Sequence, residues 1–442
     1  MSAPRNSSPM LRNTLAILLA AGILSQSTAA QDATPFPEPG LKKGLQVQMV
    51  DDALALGIKH AGINVNLAAL LASPTDPDRA PFVYQGKEYG IREGYARSLQ
   101  KQIKPLSDAG VSVYLILIQY PSKDPVKDAV LIHPKARADG KYIIPAFNTA
   151  TEDGLQHYQA LVSYLASRHS GAHPESGRVW GYIVGNEVNS QFTWYNLGQS
   201  SVQETAAEYE KAVRATHDAV RQYSAHARCY LSFDHHWNIS CPGISPQEAY
   251  KGRELLDTFA RIAREKGDFE WHVAHHPYPD NLGNPRTWLD KNAWPNEDAP
   301  HITFKNLEVA DRYMHRGELL WQGQPRRIIL SEQGLHCADT PDGELLQAAG
   351  FAYVWEKVQR QAGIDALIWH RHVDHTQEGG LKLGLWSTRP GTISEPGNKR
   401  RFYELFQKAG TPAWEEAAQF ALPVVGLASW NDLPGPAATP QK

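Results

Sequence analysis

The feature that most constrains this chain is an alternation. Short β-rich or apolar runs recur at 58–66, 111–119, 142–148, 179–186, 228–234, 270–276, 327–332 and 364–370. Between most of them lie stretches of helical spacing, at 92–109, 151–168, 203–225, 246–266, 344–361 and 399–409. In one of these, Ala206, Tyr209, Ala212, Val213, Thr216, Ala219 and Val220 keep the three- and four-residue spacing of one buried helix face. Strand–helix alternation builds parallel βαβ units. Eight such units predict an α/β fold, a (β/α)8 barrel with long loops at its C-terminal face. An open doubly wound sheet would want a glycine-rich phosphate turn after its first strand; the run 58–66 is followed by Leu67-Ala68-Ala69-Leu70 instead.

The ends of the chain read differently. Arg5 and Arg12 precede an apolar run from Leu15 to Leu24, too short to span a bilayer, and Thr28-Ala29-Ala30 offers small residues for cleavage before Gln31. Residues 1–30 are therefore expected to be a signal peptide and the protein to be secreted or periplasmic; a retained N-terminal anchor is the alternative. Residues 31–41, rich in proline, read as a linker, 42–412 as the barrel, and 413–442 as an extension that packs on it and ends in a loose tail. Lys plus Arg number 44 against 47 Asp plus Glu, a net charge of −3, which supplies neither a basic stripe for nucleic acid nor a polybasic membrane patch. Three cysteines make no disulfide framework. Either Cys241 and Cys337, both in loops after strands, form one bond, or Cys229, Cys241 and Cys337 are three buried thiols.

Parallel barrel strands are buried on both faces and should be apolar throughout. Here several end in polar, titratable residues. The fourth run closes on Val184-Gly185-Asn186-Glu187, the fifth on Asp234-His235-His236, the sixth on His275-His276-Pro277-Tyr278, the seventh on Ser331-Glu332-Gln333-Gly334, the eighth on Trp369-His370-Arg371-His372. In a barrel these ends share one mouth, where active sites form. Burying an unpartnered carboxylate costs several kcal/mol, so packing alone would not choose Glu at 187 and 332. Two such carboxylates facing each other are what glycosidic cleavage needs: one protonates the leaving oxygen, and the other attacks the anomeric carbon or activates water. Asn296-Glu297 is a control, because the same dipeptide falls there in a loop.

On these motifs, with His276-Pro277-Tyr278 and Trp369, the chain resembles the clan A retaining glycoside hydrolases, and within them an exported bacterial group. The resemblance covers roughly residues 42–412 and implies roles residue by residue. Glu187 would be the acid/base, Asn186 a ligand of the sugar 2-hydroxyl, and Glu332 the nucleophile. Tyr278 would bond that nucleophile, and Trp369 would floor the sugar site. It also implies that the bond cleaved is a β-linkage; no cofactor is expected, and the long loops at the C-terminal face point to a poly- or oligosaccharide. Many clan members carry an Arg at the end of strand two; the second run here ends Ile118-Gln119-Tyr120-Pro121. Arg371 or nearby histidines would have to take its place.

The remaining candidates are less specific. His235, His236, His276 and His370 would form a hydrogen-bonding wall at the mouth, whereas His60, His157 and His272 read as core residues. A catalytic metal held by His370, His372 and His375 is an alternative, weakened because the first run shows no His-x-His. Asn64 and Asn66 share one strand face and either line the pocket or serve the turn. Trp194, Tyr195 and Trp237 either stack on sugar or pack their loops. Long loops at 121–141, 278–300 and 374–398 suit a cleft for an extended carbohydrate. A non-catalytic carbohydrate-binding barrel is the other alternative.

Overall fold

Eight parallel strands close on one another in this computed structural model, which describes residues 1, 31–38, 40–137 and 142–433. They are β1 (Lys43–Gln46), β2 (His60–Asn66), β3 (Ser112–Ile118), β4 (Gly181–Val184), β5 (Arg228–Phe233), β6 (His272–His275), β7 (Ile328–Leu330) and β8 (Ile364–Trp369). Each pairs with its neighbour in sequence, and β1 completes the circle by pairing with both β8, at Gly44 and Ile368, and β2, at Leu45 and Ala61. The fold is a (β/α)8 barrel. The expected signal peptide and the tail beyond 433 lie outside the described residues.

One expected strand is not a strand. The run 142–148 is a loop whose β-type pairing is confined to isolated bridges, Pro145 with Asn196 and Phe147 with Ile132. Its apolar side chains are used for covering: Ile144 packs on the barrel interior and Phe147 on Tyr158 and Tyr195. The first strand is instead Lys43–Gln46, so the runs at 58–66 and 111–119 are the second and third strands, and the long loop at 121–141 follows β3. Strands four to eight keep their expected positions.

Period-two alternation divides the strand side chains. Tyr114, Ile116, Ile183, Tyr230, Ile329 and Ile368 point inward and fill the barrel. Leu45, Ile63, Leu115, Tyr182, Leu231 and Leu367 point outward under the helices. Glu152–His169 starts at Thr151, whose side chain accepts from Gly154 N at 3.1 Å, and Val202–Arg221 starts at Ser201 in the same way. The helix expected from 246 begins later, as Gly252–Glu265. Two small antiparallel pairs sit outside the barrel, Arg79–Tyr84 with Lys87–Arg92 and Trp386–Thr388 with Pro396–Lys399.

Residues 31–38 lie along the barrel's N-terminal end: Asp32 takes a two-bond contact from Arg178 (2.8 and 2.9 Å), and Phe36 lies 3.9 Å from the Arg228 guanidinium. At the other terminus Trp414–Ala418 and Ala421–Val425 pack on the helix Gly343–Gln359, with Trp414 Nε1 donating to Glu356 Oε1 at 2.8 Å. All three cysteines are free thiols, and no bond joins Cys241 to Cys337. Among the described residues no helix is long and apolar enough to cross a membrane.

Candidate active site

After β4 the chain turns sharply through Gly185 (φ 72°) and Glu187 (φ 40°), both left-handed. A Cβ at Gly185 would stand 2.7 Å from the Tyr195 ring, so both the dihedral and the space demand glycine. The turn is fastened to β5, where Glu187 N donates to Ser232 Oγ at 3.0 Å. The Glu187 side chain faces His276, whose Nδ1 lies 3.0 Å from Glu187 Oε1 and whose Nε2 lies 3.0 Å from Ser331 Oγ. One imidazole thus spans from the end of β4 to the end of β7.

Glu332 follows Ser331. Tyr278 OH donates to its Oε1 at 3.3 Å, and Gln46 Nε2 reaches its Oε2 at 3.4 Å and the Ser331 carbonyl at 3.1 Å. Gln46 Oε1 in turn holds His370 Nδ1 at 2.7 Å, and His370 Nε2 meets Glu378 Oε1 at 3.0 Å. A carboxylate oxygen of Glu187, one of Glu332 and a ring nitrogen of His276 all lie within 4.8 Å of one another.

The two carboxyls share a mouth but not an electrostatic setting. Burial pushes Glu187 above the usual carboxylate range; Asp234 and Glu332 push the same way, and the His276 bond opposes them. Burial is the largest of these causes and the Glu332 charge a smaller one. Burial pushes Glu332 upward too, but the charges of His370 and His276 and the Gln46 amide outweigh it, and the group sits below the usual range. His276 is raised: burial opposes its charge, and the two glutamates overcome that. His276, expected in the hydrogen-bonding wall at the mouth, bonds Glu187. Among the described residues no Lys or Arg pairs with either glutamate; Arg371 pairs with Glu378 at 2.8 Å.

Other sequence candidates divide. Asn186 is buried beside Glu187. Asn64 is exposed at the mouth, in a cleft with Gln46 and Arg371, whereas Asn66 caps Ala68 N at 3.1 Å and accepts from Tyr120 N. Trp194 rests half-buried on the barrel-interior cluster. Tyr195 and Trp237 are core residues of their loops, packed on Tyr209 and Tyr313. Trp369 contradicts the expected sugar floor. It is 0% exposed, wedged edge-on to Phe351 and against Phe402, with its indole bonded to the Leu383 carbonyl. Ile368 and His370 point inward, so the residue between them must point out.

The alternative His370–His372–His375 metal set does not form: His372 Nε2 is bonded to Asp52 at 2.8 Å and its Nδ1 receives Met49 N. The described residues bring three donors together in two places, Glu187–His276–Glu332 and His235–His236–His301. Sequence reasoning missed Gln46, because its strand was missed, and Tyr120. Tyr120 is 39% exposed, and burial first and then the Glu332 charge raise its hydroxyl.

No curated protein matches the chain by sequence. Solved structures match its fold. The β-glycosidase BGL167 aligns at 13% identity over 89% of this chain and 87% of its own, with a TM-score of 0.52. The β-glycosidase of the hyperthermophile Thermosphaera aggregans aligns at 14% over 84% and 86%, TM-score 0.51. A family 39 glycoside hydrolase from Bacteroides cellulosilyticus WH2 aligns at 12% over 87% of this chain but only 64% of its own length, TM-score 0.50. By sequence, a family match runs from residue 35 to residue 433, and the chain belongs to that family, the family of unknown function DUF5722.

Proposed function

We propose that this protein is an exported glycoside hydrolase that cleaves a poly- or oligosaccharide, β-linked, with retention of anomeric configuration. The observation that carries the reading is the glutamate pair: two carboxyls at the ends of β4 and β7, oxygens within 4.8 Å, one raised and one lowered in pKa. Retaining enzymes hold their carboxyls about 5–5.5 Å apart, and inverting ones leave about 6.5–9.5 Å for a water.

In this reading Glu332, ionised and steadied by Tyr278 and Gln46, attacks the anomeric carbon as the glycosidic C–O bond breaks. Glu187, kept protonated by burial, gives its proton to the leaving oxygen. A glycosyl ester on Glu332 results. Glu187, now ionised, takes a proton from water, which attacks the same carbon and releases Glu332. Asn186 is placed for the 2-hydroxyl of the bound sugar. Export follows from the N-terminal segment, and the mature chain would begin at Gln31.

A panel of polysaccharides, with products followed by mass and anomeric NMR, tests the reading. The expected first product keeps the substrate's anomeric configuration; an inverted first product overturns the assignment of Glu332 as nucleophile. Glu187→Gln and Glu332→Gln separate the enzyme from a carbohydrate-binding barrel: turnover lost with sugar binding kept supports the enzyme, and unchanged behaviour of both variants supports the binder.

A further inference from the structure

The mouth carries a second side-chain cluster that the proposed hydrolysis does not use. His235 and His236 follow β5, and His301 closes the long loop between β6 and β7. The rings of His235 and His236 stack with centroids 4.3 Å apart, and His301 meets them edge-on at 4.8 and 5.1 Å. One donor atom of each lies within 4.8 Å of the other two.

Two of the rings are already aimed by carboxylates. His236 Nδ1 bonds Asp234 Oδ2 at 2.9 Å, and His301 Nδ1 bonds Asp280 Oδ1 at 2.6 Å. Those carboxylates are themselves fixed. Asp234 accepts from the side chains of Asn189 and Ser190 and from His236 N at 2.8 Å; Asp280 accepts from Asn292 N at 2.8 Å. Bonds of this kind set the tautomer, leaving the Nε2 lone pair of each ring free, and they are the usual outer support of metal-bound histidine. The third ring supplies an independent sign, because His235 Nδ1 is buried with no hydrogen-bond partner. A buried polar atom without a partner costs about 1–3 kcal/mol.

We propose that His235, His236 and His301 hold a divalent transition-metal ion of the zinc class. Imidazole nitrogens favour zinc, copper, nickel or cobalt over magnesium and calcium, which want oxygen ligands. Metal–nitrogen bonds of about 2.0–2.1 Å in a tetrahedral site put the nitrogens roughly 3.3 Å apart, so small ring rotations close the observed triangle. Three protein ligands leave a fourth position for water or a sugar hydroxyl. The ion would tie the loop ending at His301 to the end of β5, on the Asp234 side of the mouth.

The test is zinc binding by the metal-stripped full chain, followed by calorimetry and elemental analysis, with no substrate present. Wild type and Glu332→Gln should each take up one equivalent; the latter disrupts the Glu187–His276–Glu332 group and leaves the histidine cluster whole. His301→Ala and His236→Ala should bind at least about 100-fold more weakly, and Asp280→Asn about 10–100-fold more weakly. Zinc-edge X-ray absorption on wild type should show three imidazole ligands, a readout that stands even if a histidine variant fails to fold. No zinc uptake by wild type overturns the proposal. So does binding lost in Glu332→Gln but kept in His301→Ala, or an absorption spectrum with fewer than three imidazoles. None of these readouts depends on glycosidase activity.

Discussion

The two ends of the barrel are both rimmed with charge, and they use it in opposite ways. At the N-terminal end the carboxylates of Asp268, Glu270 and Asp365 each meet a guanidinium. Asp365 lies 3.1 Å from Arg228 Nη1 and 3.0 Å from Arg327 Nε; Glu270 lies 2.5 Å from Arg221 Nη2 and 3.1 Å from His272 Nε2. Buried Arg326 is bonded to Asp268 and to the carbonyls of Phe269 and Trp271. Burial opposes the Glu270 charge, but His272, Arg221 and Arg228 hold the group down at about 2. At the C-terminal end Glu187 and Glu332 are left with each other, with imidazoles and with amides, and their pKa values part in opposite directions. A polar rim is architecture when its charges cancel locally. It becomes chemistry when like charges must share a site and only one of them can stay ionised.

The sharpest way to break that contrast is to remove one charge at each end. Glu332→Gln should lower kcat by about 1,000-fold or more, and Glu187→Gln by about 100- to 10,000-fold, on a substrate whose leaving group needs protonation. Neither should lower thermal stability, because each relieves a pair of neighbouring carboxyls. Asp365→Ala should do the reverse. It strands Arg228 and Arg327 at the barrel floor and should cost about 2–4 kcal/mol in chemical denaturation, less than a fully buried pair because both arginines reach solvent. Activity per folded molecule should be unchanged. Activity loss in Asp365→Ala without destabilisation would erase the distinction between the ends.

The pH response should also differ. Glu270 titrates near 2 when folded, against about 4.3 unfolded. A depressed carboxyl stabilises the fold fully above its unfolded pKa and loses that contribution as pH falls toward the folded value. Its share, at most about 3 kcal/mol, should therefore be complete above about pH 5 and disappear toward pH 2, and Glu270→Gln should flatten the slope. Activity should follow a bell instead. The proposed mechanism needs Glu332 ionised, so the acid limb should lie below the usual carboxylate range, and Glu187 protonated, so the alkaline limb should lie above it. Initial rates and denaturation midpoints measured across the same pH series would show both curves.

What the sequence made legible follows from how loudly each segment departs from its neighbours. Strands four to eight are apolar runs that stop abruptly at Glu, Asp or His, and a carboxylate at the end of a buried strand has few explanations. Lys43-Gly44-Leu45-Gln46 is too short and too polar to register as a strand; only closure between β8 and β2 demands it. The run 142–148 registers falsely, because a loop that lies across the barrel also has apolar surface to bury. Trp369 shows the limit of resemblance. The parity of β8, with Ile368 inward, already sends the indole outward, and local alternation was the better guide. The histidine triad was beyond reach, since His301 comes 65 residues after His236 and nothing in the spacing joins them.

Gln46 gives the smallest and most discriminating effect at the C-terminal end. Its neutral amide touches Glu332, the Ser331 carbonyl and His370 together, at 3.4, 3.1 and 2.7 Å. In Gln46→Leu, Glu332 loses a donor to its charged form, so its pKa should rise and the acid limb of the rate profile should move upward by a few tenths of a unit to about one unit. His370, freed on one side, should steady Glu332 less well, and kcat should fall by about 3- to 10-fold. Gln46→Glu should move the acid limb further in the same direction, because it places a third carboxyl beside the first two. A residue that served only to pack β1 would lower stability in both variants and leave the acid limb where it was. A shifted limb with an unshifted denaturation midpoint therefore assigns Gln46 to holding the proposed nucleophile.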